Sequence, residues 1–81
     1  MRKWVVYILK CRDDSYYTGI TNDLDKRISD HNAGTGAKYT RGRGPVELIY
    51  TEPHEGRSSA SKREFFIKKL TRRQKEALIQ T

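Results

Sequence analysis

The sequence lacks the features of secreted and membrane-spanning proteins. It has one cysteine, Cys11, so no disulfide can form within the chain, and disulfide-rich secreted scaffolds are excluded. The apolar stretch at residues 4–9 is far shorter than the ~20 residues of a membrane span, and no helix with a wide apolar face opposite a basic face is predicted. We therefore expect no membrane partner. The first residues show no signal-peptide pattern, which predicts a cytoplasmic protein, with association with the nucleoid as a variant.

Acidic residues are scarce relative to basic ones. The 81 residues include 17 Lys and Arg against 10 Asp and Glu, a formal net charge of +7. The imbalance is sharpest from Arg57 to Lys75, where eight Lys or Arg residues accompany a single acid, Glu64. Such a surface attracts polyanions, and nucleic acid is the partner that we expect, with DNA favoured. The length predicts one domain over residues 1–81, with one small core.

The N-terminal apolar pattern predicts a β-hairpin. Residues 4–9 are apolar throughout and rich in β-branched and aromatic side chains, which is typical of a central strand covered on both faces. Turn-forming residues follow at 12–15, and residues 16–20 again favour a strand. A two-residue loop would place Tyr7 and Tyr17 on opposite faces, whereas a three-residue or bulged connection would place them on the same face. The sequence leaves this register open.

A helix is predicted to follow the hairpin. Side-chain oxygens at residues 21–22 can cap its first turn, and Gly34 can end it. Its apolar stripe consists of Leu24 and Ile28. Arg27 and His31 lie one turn apart beside this stripe, so they can reach inward toward the sheet.

Residues 34–45 predict a loop, because no apolar periodicity survives among their four glycines. Cationic and aromatic side chains are interleaved with these glycines, namely Lys38, Tyr39, Arg41 and Arg43. Glycine lets a backbone approach a phosphate closely, the cations neutralise it, and the tyrosine can stack on a base. The loop is therefore a candidate nucleic-acid track. A solvated connector is the alternative.

The C-terminal half predicts a strand and two helices. Residues 46–51 favour a strand that residues 52–56 end, and a long helix is expected from Ser58 or Ser59 to Leu70. Its docking residues are expected to be Ala60, Phe66, Ile67 and Leu70. Glu64 lies at the margin of this stripe, where it can border a cleft, and Arg63 beside it is a further candidate for nucleic-acid binding. Residues 71–74 have the spacing of a capping box and predict a short last helix.

Taken in order, these residues resemble the GIY-YIG nuclease domain, in particular its small stand-alone bacterial members. The first motif appears as Val5-Val6-Tyr7 and the second as Tyr17-Thr18-Gly19. Arg27, His31, the segment 34–40 and Glu64 follow, so that the resemblance covers nearly the whole chain. The resemblance implies an α+β fold, with a three-stranded antiparallel sheet flanked by helices in the order β-β-α-β-α-α. It also implies an endonuclease that hydrolyses nucleic-acid phosphodiesters with one divalent metal, Mg²⁺ or Mn²⁺.

The sequence departs from the family pattern at two points. Val5-Val6 replaces the Gly-Ile that gives the first motif its name, which changes packing but leaves the tyrosine hydroxyl available. Many active relatives carry an asparagine in the C-terminal part of the domain, whereas here no asparagine follows Asn32. Whatever this asparagine contributes must come from another residue here or be missing.

The resemblance also implies roles for individual residues. Glu64 would hold the metal, and one carboxylate suffices because Mg²⁺ keeps several waters and takes further ligands from substrate phosphates. Arg27 would donate two hydrogen bonds to the scissile phosphate, a planar geometry that lysine does not reproduce. Tyr17 would be the general base, with Tyr7 and His31 hydrogen-bonded around it. An imidazole is chemically an easier base than a phenol, so the sequence does not decide between Tyr17 and His31.

Ordinary structural roles compete with each of these assignments. The two tyrosines fit a half-buried strand, Arg27 can pair with Asp23, and Glu64 can pair with Lys68 at i+4. These roles do not explain why all five residues occur in this order in a basic chain. Two other functions stay open: a nucleic-acid-binding module that has lost catalysis, and a domain whose basic surface serves a protein partner.

Overall fold

The fold of residues 3–80 is described by a computed structural model. Its strands and helices are β1 (Trp4–Lys10), β2 (Tyr16–Thr21), α1 (Leu24–Asn32), β3 (Glu47–His54), α2 (Arg57–Lys68) and α3 (Arg72–Ile79), with a 3₁₀ turn at Lys38–Thr40. The order β-β-α-β-α-α is the one that the family resemblance implies. The predicted α+β fold is therefore confirmed.

β1 is the central strand of the sheet, as its apolar run predicts. It pairs antiparallel with both neighbours, in the spatial order β2-β1-β3. Its four central side chains, Val6, Tyr7, Ile8 and Leu9, are fully buried. An antiparallel strand reads as a continuous apolar run only when both faces are covered, and helices supply that cover here.

The β1–β2 hairpin settles the register that the sequence leaves open. The Cys11 amide donates to the Ser15 carbonyl at 2.8 Å, and the Asp14 amide donates to the Cys11 carbonyl at 2.9 Å. Asp14 has a φ of 68°, so the connection is a three-residue loop ending in a left-handed residue. Tyr7 and Tyr17 therefore lie on the same face of the sheet.

Helices pack on both faces of the sheet. On one face, Val6 and Ile8 contact Ala60 and Ile67 of α2. The other face is formed by Tyr7, Leu9, Cys11 and Val46, against which Leu24 and Ile28 of α1 pack. The side chains of β1 thus alternate between two small cores, and Tyr7 belongs to the core beneath α1.

α1 begins slightly later than predicted. Its N-cap is Asp23, whose carboxylate accepts from the Lys26 amide at 3.4 Å. The Thr21 hydroxyl instead accepts from the Asp23 amide at 3.0 Å and so tightens the turn into the helix. Gly34 follows the last turn with a φ of 81°, a left-handed conformation that glycine adopts without strain, so the predicted stop is confirmed.

β3 is longer than predicted. It continues through Pro53 and His54, which pair with Val5 and Trp4, so the expectation that residues 52–56 end the strand is wrong for its first three residues. Proline is tolerated here because β3 is an edge strand, where an amide on the outer side needs no ladder partner.

The docking face of α2 is partly as predicted. Ala60 and Ile67 are fully buried, and Leu70 packs against them. Phe66 is 54% exposed, so its predicted place in the core is wrong. It lies one position before Ile67 and therefore projects around the helix, away from the sheet.

The start of α3 is a complete capping box, as predicted. The Thr71 hydroxyl accepts from the Gln74 amide at 3.2 Å, and the Gln74 side chain accepts from the Thr71 amide at 2.9 Å.

No helix within residues 3–80 has the length and apolar character needed to cross a membrane.

A polar network joins β3 to α2. Glu52 accepts from Arg63 Nε at 3.0 and 3.2 Å, from the Tyr50 hydroxyl at 2.8 Å and from His54 Nε2 at 2.6 Å. The Ser59 hydroxyl lies 2.6 Å from the other ring nitrogen of His54. Burial alone would raise the pKa of Glu52, but the hydrogen bonds from His54, Tyr50 and Arg63 outweigh it and hold this pKa below its ordinary value. The network attaches the start of α2 to the edge of the sheet.

Candidate active site

Four of the five predicted catalytic residues meet around the hydroxyl of Tyr7. This hydroxyl is buried and lies 3.0 Å from Nε2 of His31. The Tyr17 ring lies beside both side chains, with its centroid 6.3 Å from that of Tyr7 and 5.2 Å from that of His31. The guanidinium of Arg27 approaches the same hydroxyl closely enough to act on its pKa. Residues of β1, β2 and α1 thus form one cluster.

The tautomer of His31 is assigned from its hydrogen-bond partners. Its Nδ1 lies 2.7 Å from the hydroxyl oxygen of Thr40, and that hydroxyl donates to the Ala37 carbonyl at 3.0 Å. Because the Thr40 proton is already donated, we assign the proton of this contact to Nδ1. The Ala37 amide is 3.5 Å from Nδ1, too long to compete with the 2.7 Å contact. Nε2 is then an acceptor, and the Tyr7 hydroxyl donates to it.

The protonation states agree with this assignment. Burial raises the pKa of Tyr7 to about 12, with smaller contributions from Tyr17 and Glu64, although Arg27 acts in the opposite direction. Burial, followed by the charge of Arg27, lowers the pKa of His31. At neutral pH Tyr7 therefore keeps its proton and His31 is uncharged, as a donor and an acceptor require.

Two glycines leave room for this pair of side chains. Gly19 is opposite Tyr7 in the sheet, and a Cβ at this position would lie 2.5 Å from the Tyr7 hydroxyl oxygen. A Cβ at Gly36 would lie 2.6 Å from Nδ1 of His31 and 3.0 Å from its Cα. The distances of 2.5 and 2.6 Å are shorter than any that real Cβ atoms show, so neither position accepts a side chain without a shift of its neighbour. The sequence predicted Gly36 as a loop glycine that lets the backbone approach a phosphate, and Thr40 was not among the predicted site residues.

The loop after α1 is packed against the cluster. Its 3₁₀ turn brings Thr40 to His31 and stacks Tyr39 on Tyr17, with ring centroids 5.9 Å apart and planes 28° from parallel. Arg43 lies 4.3 Å over the Tyr39 ring and pairs with Asp13 at 3.1 Å. The segment was predicted as an irregular loop without this turn. It forms one wall of the site.

Glu64 reaches the cluster from the opposite face of the sheet. It projects from α2, its side chain is 21% exposed, and it pairs with Lys68 at 3.3 Å. The Lys68 ammonium lies 6.0 Å from the centroid of the Tyr17 ring, and the charge of Glu64 acts on the pKa of Tyr7. The fifth predicted residue therefore borders the other four at the β2 edge of the sheet.

Residues 3–77 match the GIY-YIG catalytic domain. The chain belongs to this family. Its relatives include a UPF0213 protein of Clostridium perfringens, 65% identical over 91% of this chain and 80% of the relative. The UPF0213 protein YazA of Bacillus subtilis is 51% identical over 91% of this chain and 75% of the relative. Membership supports nuclease-type activity in general, and the name UPF0213 specifies no function.

Two solved structures are similar to this GIY-YIG domain. A solution NMR structure of a UPF0213 protein from Bacillus halodurans has 49% sequence identity and a TM-score of 0.62, and it covers 99% of this chain and 84% of its own. A solution NMR structure of a protein from E. faecalis has 46% identity and a TM-score of 0.68, over 99% and 85% of the two chains. These likenesses agree with the family assignment and with the fold described above.

Glu64 has the donor chemistry that a hard divalent cation requires. Within residues 3–80, no group of three or more His, Cys, Asp and Glu side chains is arranged to hold a metal ion. Mg²⁺ is nevertheless often bound by one or two carboxylates, with water and substrate phosphates completing its coordination. The residues therefore fit a cation shared between Glu64 and a bound phosphate. Lys68, which pairs with this carboxylate, would then move aside.

The candidate nucleic-acid residues fall into two groups. Lys38, Tyr39 and Arg41 are exposed along the loop that forms the wall of the site. The guanidinium of Arg43 is held by Asp13, and that of Arg63 by Glu52, 5.3 Å from the Phe66 ring. Within the described residues, Lys38 and Arg41 have no ion-pair partner, whereas Tyr39 is stacked between Tyr17 and Arg43. The second group stabilises the fold around the site.

Proposed function

We propose that this GIY-YIG domain is an endonuclease that cleaves nucleic-acid phosphodiesters, with DNA favoured and Mg²⁺ or Mn²⁺ as its cofactor. The observation that carries the proposal is the convergence of Tyr7, Tyr17, Arg27, His31 and Glu64 at one edge of the sheet. Each residue has an ordinary structural role when taken singly. Those roles give no reason for one arginine, one carboxylate and three proton-carrying rings to meet in a basic protein.

Arg27 is the proposed phosphate-binding residue. It is half-buried, and its guanidinium is directed to the Tyr7 hydroxyl, next to the ring of Tyr17. A guanidinium can donate two parallel hydrogen bonds to a phosphate, which fixes both the position and the orientation of the phosphorus. The scissile group would then lie between Arg27 and Glu64.

Tyr17 is the proposed general base. The Tyr7 hydroxyl donates a hydrogen bond to His31, and the Nε2 lone pair of His31 is used in accepting it, so neither group is free to take a proton from water. Tyr17 is half-buried, with the Lys68 ammonium 6.0 Å from its ring centroid and Arg27 on its other side. This arrangement of hydrogen bonds supports Tyr17 rather than His31 as the general base, a choice that the sequence leaves open.

The reaction that follows is hydrolysis. Water attacks the phosphorus and gives its proton to the deprotonated oxygen of Tyr17, while the phosphorus–oxygen bond to the leaving group breaks. The leaving oxygen takes a proton from solvent, and Tyr17 returns the captured proton to solvent. Arg27 stabilises the charge that accumulates on the phosphoryl oxygens. When bound, the divalent cation supplies Lewis-acid stabilisation of the same charge.

Glu64→Gln tests this proposal, with Glu76→Gln as a matched control. Glu76 also pairs with a cation one turn away, Arg72 at 3.6 Å, but lies on α3. We expect cleavage of supercoiled plasmid to require Mg²⁺ or Mn²⁺, to be abolished by Glu64→Gln and to be unaffected by Glu76→Gln. Binding of nucleic acid without cleavage in either metal would contradict the proposal. That result would favour a catalytically inactive nucleic-acid-binding module, the alternative hypothesis that the missing asparagine supports.

A further inference from the structure

The side of α2 that points away from the sheet carries an exposed phenylalanine among cations. Phe65 is 62% exposed. A shallow depression beside it is lined by Arg57, Ser58, Ser61, Lys62 and Phe65, and helical periodicity adds Lys69 to the same side. We call these six residues the Phe65 face. It lies around the helix from Ala60 and Ile67, which dock α2.

The Phe65 face carries three cations, Arg57, Lys62 and Lys69. Within residues 3–80, no acidic side chain lies within ion-pair distance of Arg57, Lys62 or Lys69. The Lys69 ammonium instead lies 4.2 Å from the centroid of the Phe65 ring. The face therefore combines an open aromatic surface with cations, the two features with which proteins bind unpaired nucleotides.

We propose that the Phe65 face binds a single-stranded segment of the nucleic acid whose phosphodiester lies at the candidate active site. The inference deepens the proposed function and depends on it for the identity of that strand. Unpaired bases can stack on Phe65, whereas the bases of a duplex are already stacked on one another. Arg57, Lys62 and Lys69 neutralise the phosphates.

The Phe65 face is continuous with the site. Glu64 precedes Phe65 in the chain, and Lys68 lies between their directions on the helix surface. The Lys68 side chain is 51% exposed and lies 6.0 Å from the Tyr17 ring centroid. A strand that leaves the site at Glu64 therefore meets Lys68 first and the Phe65 ring next.

A second copy of the chain is a poorer occupant of this face. In a two-fold dimer the same patch meets itself, so Arg57, Lys62 and Lys69 would face their own counterparts. Like charges brought together in this way oppose association. One exposed ring is also far less than the ~800 Å² per partner of a stable interface.

The test compares Phe65→Ala with Phe66→Ala. Phe66 is the matched control, because it is 54% exposed on the same helix but does not line the depression. Binding is measured by fluorescence anisotropy with a labelled 20-nucleotide pyrimidine strand and a blunt duplex of equal length, in EDTA. We expect Phe65→Ala to weaken single-strand binding roughly 5- to 150-fold, the equivalent of one lost stacking contact of ~1–3 kcal/mol. Duplex binding and the Phe66→Ala protein should change by less than about twofold.

Two further variants examine the chemistry of the face. Phe65→Leu keeps apolar bulk without an aromatic ring, so it should lose single-strand affinity as Phe65→Ala does. Lys62→Gln should reduce the slope of log affinity against log salt by about 0.7 on the single strand. Circular dichroism should show unchanged folding, because both side chains are exposed.

Three outcomes would overturn the inference. The first is single-strand binding by Phe65→Ala at the wild-type affinity. The second is an equal loss of affinity in Phe66→Ala, or an equal loss by Phe65→Ala on the duplex. The third is a wild-type dimer in sedimentation that the Phe65→Ala substitution dissociates. Binding in EDTA does not require catalysis. A protein that binds single strands through Phe65 but cleaves nothing would therefore refute the proposed nuclease and leave this binding surface established.

Discussion

Burial keeps the hydroxyl of Tyr7 protonated. It raises the pKa of Tyr7 to about 12, and Nε2 of His31 accepts a hydrogen bond from this hydroxyl at 3.0 Å. The chain of donors continues in one direction, from His31 Nδ1 to Thr40 and from Thr40 to the Ala37 carbonyl. The family resemblance predicted Tyr7 and His31. Thr40 lies in the segment 34–40 that carries this resemblance, but its contact with His31 depends on the 3₁₀ turn.

Thr40→Val should disturb the tautomer of His31. Without the hydroxyl, the Nδ1 proton has no acceptor, and the Ala37 amide can then donate to Nδ1 instead. We expect a second tautomer in the ¹⁵N spectrum of the ring and a loss of cleavage of about 10-fold, similar to removal of other partners that orient a functional histidine. Thr40→Ser is the control and should keep both properties. A wild-type spectrum in Thr40→Val would contradict the assignment.

Arg27→Lys should damage catalysis more than folding. Lysine keeps the positive charge but lacks the planar pair of donors that the proposed phosphate contact needs. The expected loss in the single-turnover cleavage rate is on the order of 10²-fold. Arg73→Lys is the matched control, because Arg73 is an exposed residue of α3 that is not part of the candidate site. This substitution should leave the cleavage rate unchanged. Equal cleavage rates for Arg27→Lys and Arg73→Lys would contradict the proposed role of Arg27 in binding the phosphate.

At the scale of elements, local patterns predicted the strands and helices better than their ends. The apolar run of β1 and the capping box of α3 are local signals, and both were confirmed. The extension of β3 through Pro53 depends on pairing with β1, which no local pattern records. Phe66 was misplaced because it lies at the margin of the α2 stripe, where one position decides between core and solvent.

The Glu52 network should make the attachment of α2 sensitive to acid. Because the folded protein holds the pKa of Glu52 below its ordinary value, the carboxylate contributes stability above that ordinary value, near ~4.3. This contribution is lost as the pH falls through the folded value. Glu52→Gln should therefore lower the free energy of unfolding by about 1–2 kcal/mol at pH 7 and by less near pH 3.

Urea denaturation at the two pH values measures this difference. Glu47→Gln is the control, because Glu47 is an exposed residue of the same strand. It should change stability by less than about 0.5 kcal/mol at either pH. A difference between Glu52→Gln and wild type that did not shrink in acid would contradict a carboxylate held in its charged form by the network.

At the scale of the whole molecule, the candidate site exists only because elements from both faces of the sheet meet at β2. Tyr7, Arg27 and His31 belong to the α1 side, whereas Glu64 comes from α2. Tyr17, on the edge strand, lies beside His31 and 6.0 Å from the ammonium of Lys68, which pairs with Glu64. The family resemblance predicted these five residues from the sequence. The sequence did not predict the distances between them, the wall formed by residues 34–45 or the direction of the hydrogen bonds, because these depend on the folded structure.

The most direct test of the account is the Mg²⁺-dependent nicking rate of supercoiled plasmid by wild type, Tyr17→Phe and Tyr16→Phe. Tyr16 is the matched neighbour, since its hydroxyl contacts Glu76 at 3.4 Å on the opposite face of the sheet. We expect Tyr17→Phe to bind the plasmid but not to nick it, and Tyr16→Phe to nick it at the wild-type rate. Nicking by Tyr17→Phe at the wild-type rate would contradict Tyr17 as the base, and an inactive wild type would contradict the nuclease itself.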